Sequence, residues 1–249
     1  MTIYQPQLLG VLGGMGPMAT VDFLAKLTRA TPANCDQEHI PIVVRFCPQI
    51  PDRSEAIEGR GLSPRIALEN AAIKIESDGA QALVIPCNTA HFWYEQIASS
   101  LGIPVLHIAD AAVEQIPVGL RSQPIGLLAT KGTLQSAVYQ SRYPSINWVI
   151  PSRETIEDKL MPAIRHVKAG NLLTAGTFLN EAIEQVRDAG AASIVLGCTE
   201  LPLAYQLHHD GMPVVDATEA LALSAVRWAL RGQRDLTNPR EVSHGNFLA

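Results

Sequence analysis

Two cysteines, Cys87 and Cys198, stand where a chain of this pattern does chemistry. Each ends a short apolar run and precedes a helical pattern, in Pro86-Cys87-Asn88-Thr89-Ala90-His91 and in Gly197-Cys198-Thr199-Glu200-Leu201. In parallel α/β sheets, ligands bind at the carboxyl ends of strands, so both thiols are expected to face a ligand. A helix beginning there would aim backbone N–H groups and partial positive charge at the same point, favouring a thiolate or a substrate carboxylate. The Thr89 and Thr199 hydroxyls would then cap those helices or bond the ligand. A lone free cysteine more often packs as a small hydrophobe; two at matching positions shift that balance. Bases on opposite faces of one carbon are the minimum apparatus for stereoinversion, one removing the proton and the other returning a proton from behind. A thiolate must then coexist with a thiol. Ordinary thiols are only about 3% ionised at pH 7, and lowering one by roughly 1.5 units needs about 2 kcal/mol, within reach of a helix end plus a cation.

The elements that must position these cysteines repeat. Leu9-Gly10-Val11-Leu12-Gly13-Gly14 resembles Ile125-Gly126-Leu127-Leu128-Ala129-Thr130 at an offset of 125 − 9 = 116 positions. Gly79 to Cys87 resembles Gly190 to Cys198 at 198 − 87 = 111, and Ile103-Pro104-Val105 resembles Met212-Pro213-Val214 at 213 − 104 = 109. This near-constant spacing predicts two similar α/β units joined near residues 116–124, where Pro117, Gly119 and Pro124 cluster. Strands are expected near 8–13, 41–46, 82–86, 103–107, 124–129, 146–150, 192–196 and 213–215, mostly parallel and flanked by helices. Helix starts are signalled at Pro17, at Ser63-Pro64 and at Ser152. The first unit comprises residues 1–116 plus a last helix folded back from 216–231, the second 117–215, and 232–249 read as a polar tail.

Composition narrows the partners. The chain of 249 residues is 47% hydrophobic and 17% charged, enough apolar material for buried cores. No apolar run approaches the roughly 20 residues of a membrane-spanning helix. Leu8 to Leu12 lacks a preceding basic residue and a cleavage site, so it reads as a first strand in a cytoplasmic protein. A formal charge of −5 with scattered Lys and Arg offers no face for nucleic acid. Cys35, Cys47, Cys87 and Cys198 form no C-x-x-C pair, which favours reduced thiols and neither a disulfide nor a metal site.

Other readings of the same residues compete. Gly14-Met15-Gly16-Pro17-Met18-Ala19 fits the G-x-G-x-x-A pattern of a dinucleotide-binding oxidoreductase. The strand Ile42 to Phe46, however, is followed by Cys47-Pro48-Gln49 and lacks an acidic residue for a ribose hydroxyl. A non-catalytic two-lobed protein holding an acidic metabolite is a further alternative. His91, one turn after Cys87, offers an imidazolium partner for the thiolate or half of a metal site, against the commoner role of a satisfied structural histidine; the same choice applies to His39 and His107.

Taken together, Gly13-Gly14-Met15-Gly16-Pro17, Asp36-Gln37-Glu38-His39, Pro51-Asp52-Arg53, Pro86 to His91, Val167-Lys168-Ala169-Gly170-Asn171 and Gly197 to Glu200 resemble the aspartate/glutamate racemase family, over roughly residues 8–231. Gly13-Gly14-Met15 and Glu200 are similar to its aspartate racemase branch, where the glutamate branch has Asp-Ser and His. The resemblance implies two pseudo-symmetric α/β domains with the site in the cleft between them, a small acidic amino acid as substrate, no pyridoxal phosphate or other cofactor, and a homodimer. It implies Cys87 and Cys198 as the acid/base pair and Arg53 and Lys168 as anion-binding charges. Asn88, Thr89, Thr130, Thr133, Thr199 and Glu200 would be polar contacts, with the Met15 and Gly16 backbone bordering the ligand. Aspartate is the expected substrate, with glutamate or a broader set as runner-up. Cys47, in Phe46-Cys47-Pro48-Gln49, replaces an expected Asn near Arg53 and bears on that breadth.

Overall fold

All eight expected strands form. The computed structural model describes residues 6–205 and 211–231. The first half runs β1 Leu9–Gly13, α1 Pro17–Ala30, β2 Ile42–Phe46, α2 Arg53–Ile57, α3 Arg65–Ser77, β3 Ala82–Val84, α4 Tyr94–Ser99, β4 Val105–Leu106 and α5 Ile108–Gln115. The second half runs β5 Ile125–Ala129, α6 Lys131–Gln135, β6 Trp148–Val149, α7 Arg153–Thr155, α8 Met161–Lys168, α9 Leu172–Asp188, β7 Ser193–Gly197, α10 Leu201–Tyr205, β8 Val214–Asp216 and α11 Ala217–Ala229.

The strands make two four-stranded sheets in the same order, β2-β1-β3-β4 and β6-β5-β7-β8, every pair parallel. Each block of the sequence repeat thus becomes an equivalent strand: β1 matches β5, β3 matches β7, and β4 matches β8. The central strands β1 and β5 are buried along their whole length, as near-continuous apolar strands covered on both faces must be. Several strands are shorter than expected. β3 stops at Val84, before Pro86, which has no N–H for the ladder, and Pro104 enters only through its carbonyl, which accepts from Leu83 N–H at 2.9 Å ahead of β4.

Helix α9 shows why the flanking elements are helical. Its buried Ala175, Leu179, Ala182, Ile183 and Val186 recur at three- and four-residue spacing, one stripe against the second sheet. One core cluster runs through Leu9, Val11, Ile125, Leu127, Val195 and Val215, so side chains of both sheets pack into a shared interior. Helix α11 follows β8 yet packs against α1 and α5 of the first half. A buried ion pair fixes that return: Lys26 of α1 reaches Asp22 and, at 2.5 Å, Asp216, whose other oxygen caps α11 through Thr218 and Glu219 N–H. Burial works to lower the Lys26 pKa, but the charges and hydrogen bonds of Asp216 and Asp22 outweigh it and leave it raised. Residues 232–249, expected as a polar tail, lie outside the described residues. Among the described residues, no helix is long and apolar enough to cross a membrane.

Candidate active site

The carboxyl ends of β3 and β7 bring Cys87 and Cys198 to the wall of one cleft of about 320 Å³, part of it open to solvent. Its lining comprises the ends of both sheets with pieces of α2 and α8: Met15, Asp52, Arg53, Ser54, Cys87, Asn88, Thr89, Thr130, Lys168, Cys198, Thr199 and Glu200. Both thiols are buried, 5% and 2% exposed, so a molecule that touches them is largely removed from water. The two halves approach closely behind them. Gly132, in the first turn of α6, sits against Ser54 of α2, where a Cβ would stand 2.8 Å from Ser54 Cα.

Hydroxyls tie the halves together across the cleft. Thr89 Oγ1 lies 2.9 Å from both Thr130 Oγ1 and Thr133 Oγ1, which are themselves 2.9 Å apart. Of the two roles expected for Thr89, capping a helix or bonding a ligand, it does not take the first. The segment after Cys87 is a 3-10 turn, Thr89–Trp93, before α4, and its first turn takes no side-chain cap. Thr133 is wholly buried; it supports Thr89 and Thr130 from behind and does not line the cleft. Thr199 donates to Glu200 Oε2 at 3.3 Å. Asn88 Oδ1 accepts from Tyr139 O–H at 2.6 Å, leaving its buried Nδ2 without a partner among the described residues. A buried donor on the cleft wall is suited to a ligand acceptor.

The two cations differ. Arg53 Nη1 donates to the carbonyls of Ile50 and Pro51 at 3.2 and 3.1 Å, and Nη2 to that of Met15 at 3.4 Å. Its fork is thus partly spent on the loops around it, with Nε unpartnered among the described residues. Lys168, at the end of α8, has no ion pair among the described residues. Asp52 and Ser54 join the lining although no role was expected of them. Asp52 Oδ1 accepts from Ser54 and Glu55 N–H and caps α2. Burial works to raise its pKa, but the Glu55 hydrogen bond and the charges of Arg53 and Lys168 outweigh it and hold the carboxyl below its ordinary value. The legible signal was an Asp three residues before Glu55 at a helix start. For Tyr139 no sequence signal existed.

The thiol chemistry departs from expectation at Cys198. Burial pushes its pKa well above the ordinary value, and the Glu200 charge and side-chain hydrogen bond add to this, against the Glu200 backbone N–H and the Lys168 charge. Helix α10 has only five residues, so little helix-end charge is available to offset burial. Gly16 borders Glu200 without lining the cleft, and Cys47 stays outside the lining, its N–H bonded to Gly13 O at 3.0 Å.

His91 is structural. One ring nitrogen, Nδ1, meets Cys87 O at 2.9 Å, and Nε2 accepts from Ile108 N–H at 3.2 Å, so both positions are used by backbone and the proton belongs on Nδ1. His107 Nδ1 accepts from Ala109 N–H and caps α5. Burial above all lowers the His91 pKa from 6.5 to about 4. Unfolding therefore takes up a proton between about pH 6.5 and about 4; the stability from neutral His91 is complete above that window and is lost as pH falls through it. We expect the unfolding free energy to drop by about 3 kcal/mol across the window, and the drop to shrink in His91→Asn. Urea titrations at several pH values measure both, and an equally steep wild-type and variant profile would assign the dependence to other groups.

Fold and site together define an α/β protein with a small cleft between two like sheets, walled by two cysteines, two carboxylates and two cations. The sequence profile of the Asp/Glu/Hydantoin racemase family matches residues 12–225. The structure resembles the aspartate racemase of Picrophilus torridus, with 32% identity and a TM-score of 0.79 over 90% of this chain and 94% of that one. In sequence it is 26% identical to the broad specificity amino-acid racemase RacX of Bacillus subtilis, over 88% of this chain and 96% of the relative. A glutamate racemase of Thermus thermophilus, 20% identical over 90% of this chain and 80% of its own, shares the fold at a TM-score of 0.63. The chain belongs to the Asp/Glu/Hydantoin racemase family and is thereby an isomerase-family protein.

Proposed function

We propose that this protein interconverts L- and D-aspartate without a cofactor, by a two-base mechanism in which Cys87 and Cys198 exchange the α-proton, and that it works as a cytoplasmic homodimer. The observation that carries the reading is that equivalent strand ends of two like sheets deliver one thiol each to the same small cleft. One sulfur, as thiolate, takes the α-proton; the carbon flattens as charge moves onto the α-carboxylate; the other sulfur, as thiol, gives a proton to the opposite face. Donors already in place around the cleft, Asn88 Nδ2 and the Arg53 and Lys168 cations, offset the developing charge without reorganising.

The similarity to an aspartate racemase supports aspartate. Glutamate or a wider set is the second reading, favoured by the similarity to a broad-specificity racemase and by Asp52 and Glu200, which counter part of the cationic charge. Dinucleotide binding is disfavoured because Glu200 Oε1 abuts Gly16, placing a carboxylate where a pyrophosphate would need the start of α1. The test is incubation of metal-free protein with L-aspartate in D₂O and no added pyridoxal phosphate. Deuterium at the α-carbon and loss of optical rotation are expected to proceed together; binding with neither would leave a mere acidic-metabolite binder.

A further inference from the structure

Glu200 is a carboxylate buried beside a thiol, 5% exposed. Its Oε2 accepts from Cys198 Sγ at 3.1 Å and from Thr199 Oγ1 at 3.3 Å. Its Oε1 lies against the start of α1: a Cβ on Gly16 would stand 2.8 Å away. Gly16 is the N-cap of that 14-residue helix, so the carboxylate sits at the positive end of the α1 dipole. An ionised carboxylate only accepts hydrogen bonds, and a thiol that bonds to it must therefore carry its proton.

We infer that Glu200 is a positioning residue that holds Cys198 as the thiol in the resting enzyme, so that Cys87 acts first as base and Cys198 as acid. This rests on the two-cysteine reading above and adds its polarity. The protons balance: Cys87 gains the one leaving the α-carbon, Cys198 gives one to the opposite face, and a transfer from the Cys87 thiol to the Cys198 thiolate through water restores the start. Glu200 favours that restoration because a thiolate at Cys198 would stand against its charge.

The groups facing Cys198 from other elements act on the same ionisation. Lys168, at the end of α8, favours the thiolate. Tyr139, in the segment after α6, interacts with Cys198, and burial keeps its hydroxyl neutral. Arg53 and Asp52 from α2 and Cys87 from the end of β3 share the cleft. Burial also raises the proton affinity of Cys198, but burial is nearly unchanged when Glu is replaced by its neutral isostere. That difference makes the contribution of Glu200 separable.

The experiment is an ultraviolet thiolate titration of Cys198 as sole thiol, in a Cys35→Ser, Cys47→Ser, Cys87→Ser background, with and without Glu200→Gln. The midpoint is expected to fall by at least about one pH unit in the Gln variant, roughly ten times more thiolate at a given pH. Glu200→Asp, which keeps the charge but shortens the reach, should restore a midpoint between the two. If Gln at this buried position unfolds the chain, as circular dichroism would reveal, the Asp variant still has to fall below the parent. A midpoint that stays or rises on losing Glu200 overturns the inference. Because the titration reads one thiol and no turnover, it fails independently of whether Cys198→Ala abolishes inversion.

Discussion

Cys87→Ala and Cys198→Ala are each expected to abolish aspartate inversion, a loss of at least about 10³-fold, while the chain stays folded. Alanine removes one sulfur from a wall that remains packed, for which a stability cost of about 1 kcal/mol is ordinary. The two variants should fail in complementary ways. With one thiol gone, the remaining one can still take the α-proton from the face it touches and return a deuteron to the same face. Each variant is thus expected to exchange the α-proton of one enantiomer without inverting it, and the two should choose opposite enantiomers. Proton NMR of L- and D-aspartate in D₂O, beside polarimetry, reads both quantities. Inversion that persists in both single variants would end the two-base proposal.

Lys168→Gln carries the second large effect. Arg53 spends donors on the carbonyls of Ile50, Pro51 and Met15, whereas Lys168 borders the cleft with no ion pair among the described residues. A charge-assisted hydrogen bond to a ligand carboxylate is worth about 1.5–3 kcal/mol, so its loss should raise KM for aspartate roughly ten- to a hundredfold. Neutral amino acids, which lack the second carboxylate, should lose much less if Lys168 meets the side chain. Lys168 also draws the Cys198 thiol toward ionisation, so the alkaline limb of the rate profile should move to higher pH in the variant. Stability should hardly change, because the side chain lies at the exposed end of α8. Equal losses for aspartate and alanine would reassign Lys168 from holding a side-chain carboxylate to serving Cys198 or the α-carboxylate.

The order of elements was legible in the residues because its causes are local. Runs such as Ala82-Leu83-Val84 and Ser193-Ile194-Val195 fall between glycines and prolines, and their spacing against Leu9 and Ile125 exposed the two-sheet repeat. The placement of Cys87 and Cys198 at strand ends followed from the same pattern. Most of the expected contacts, including Arg53, Lys168, Asn88, Thr89, Thr130 and Thr199, do converge on one cleft.

What folding alone decided is where each polar atom spends its bonds. Thr89 was free by sequence to cap its own turn, yet pairs with hydroxyls 41 and 44 positions away; Asn88 is held by Tyr139, 51 positions away. Asp52 and Ser54 reach the cleft only because α2 folds against α6, and the proton affinity of Cys198 follows its burial and Glu200 more than the five-residue helix beyond it. Apolar periodicity and turn residues act between near neighbours, so the sequence by itself determined the strands, their repeat and the cysteine positions. Hydrogen-bond partners and desolvation depend on which distant segments meet, and only the tertiary structure brings those segments together.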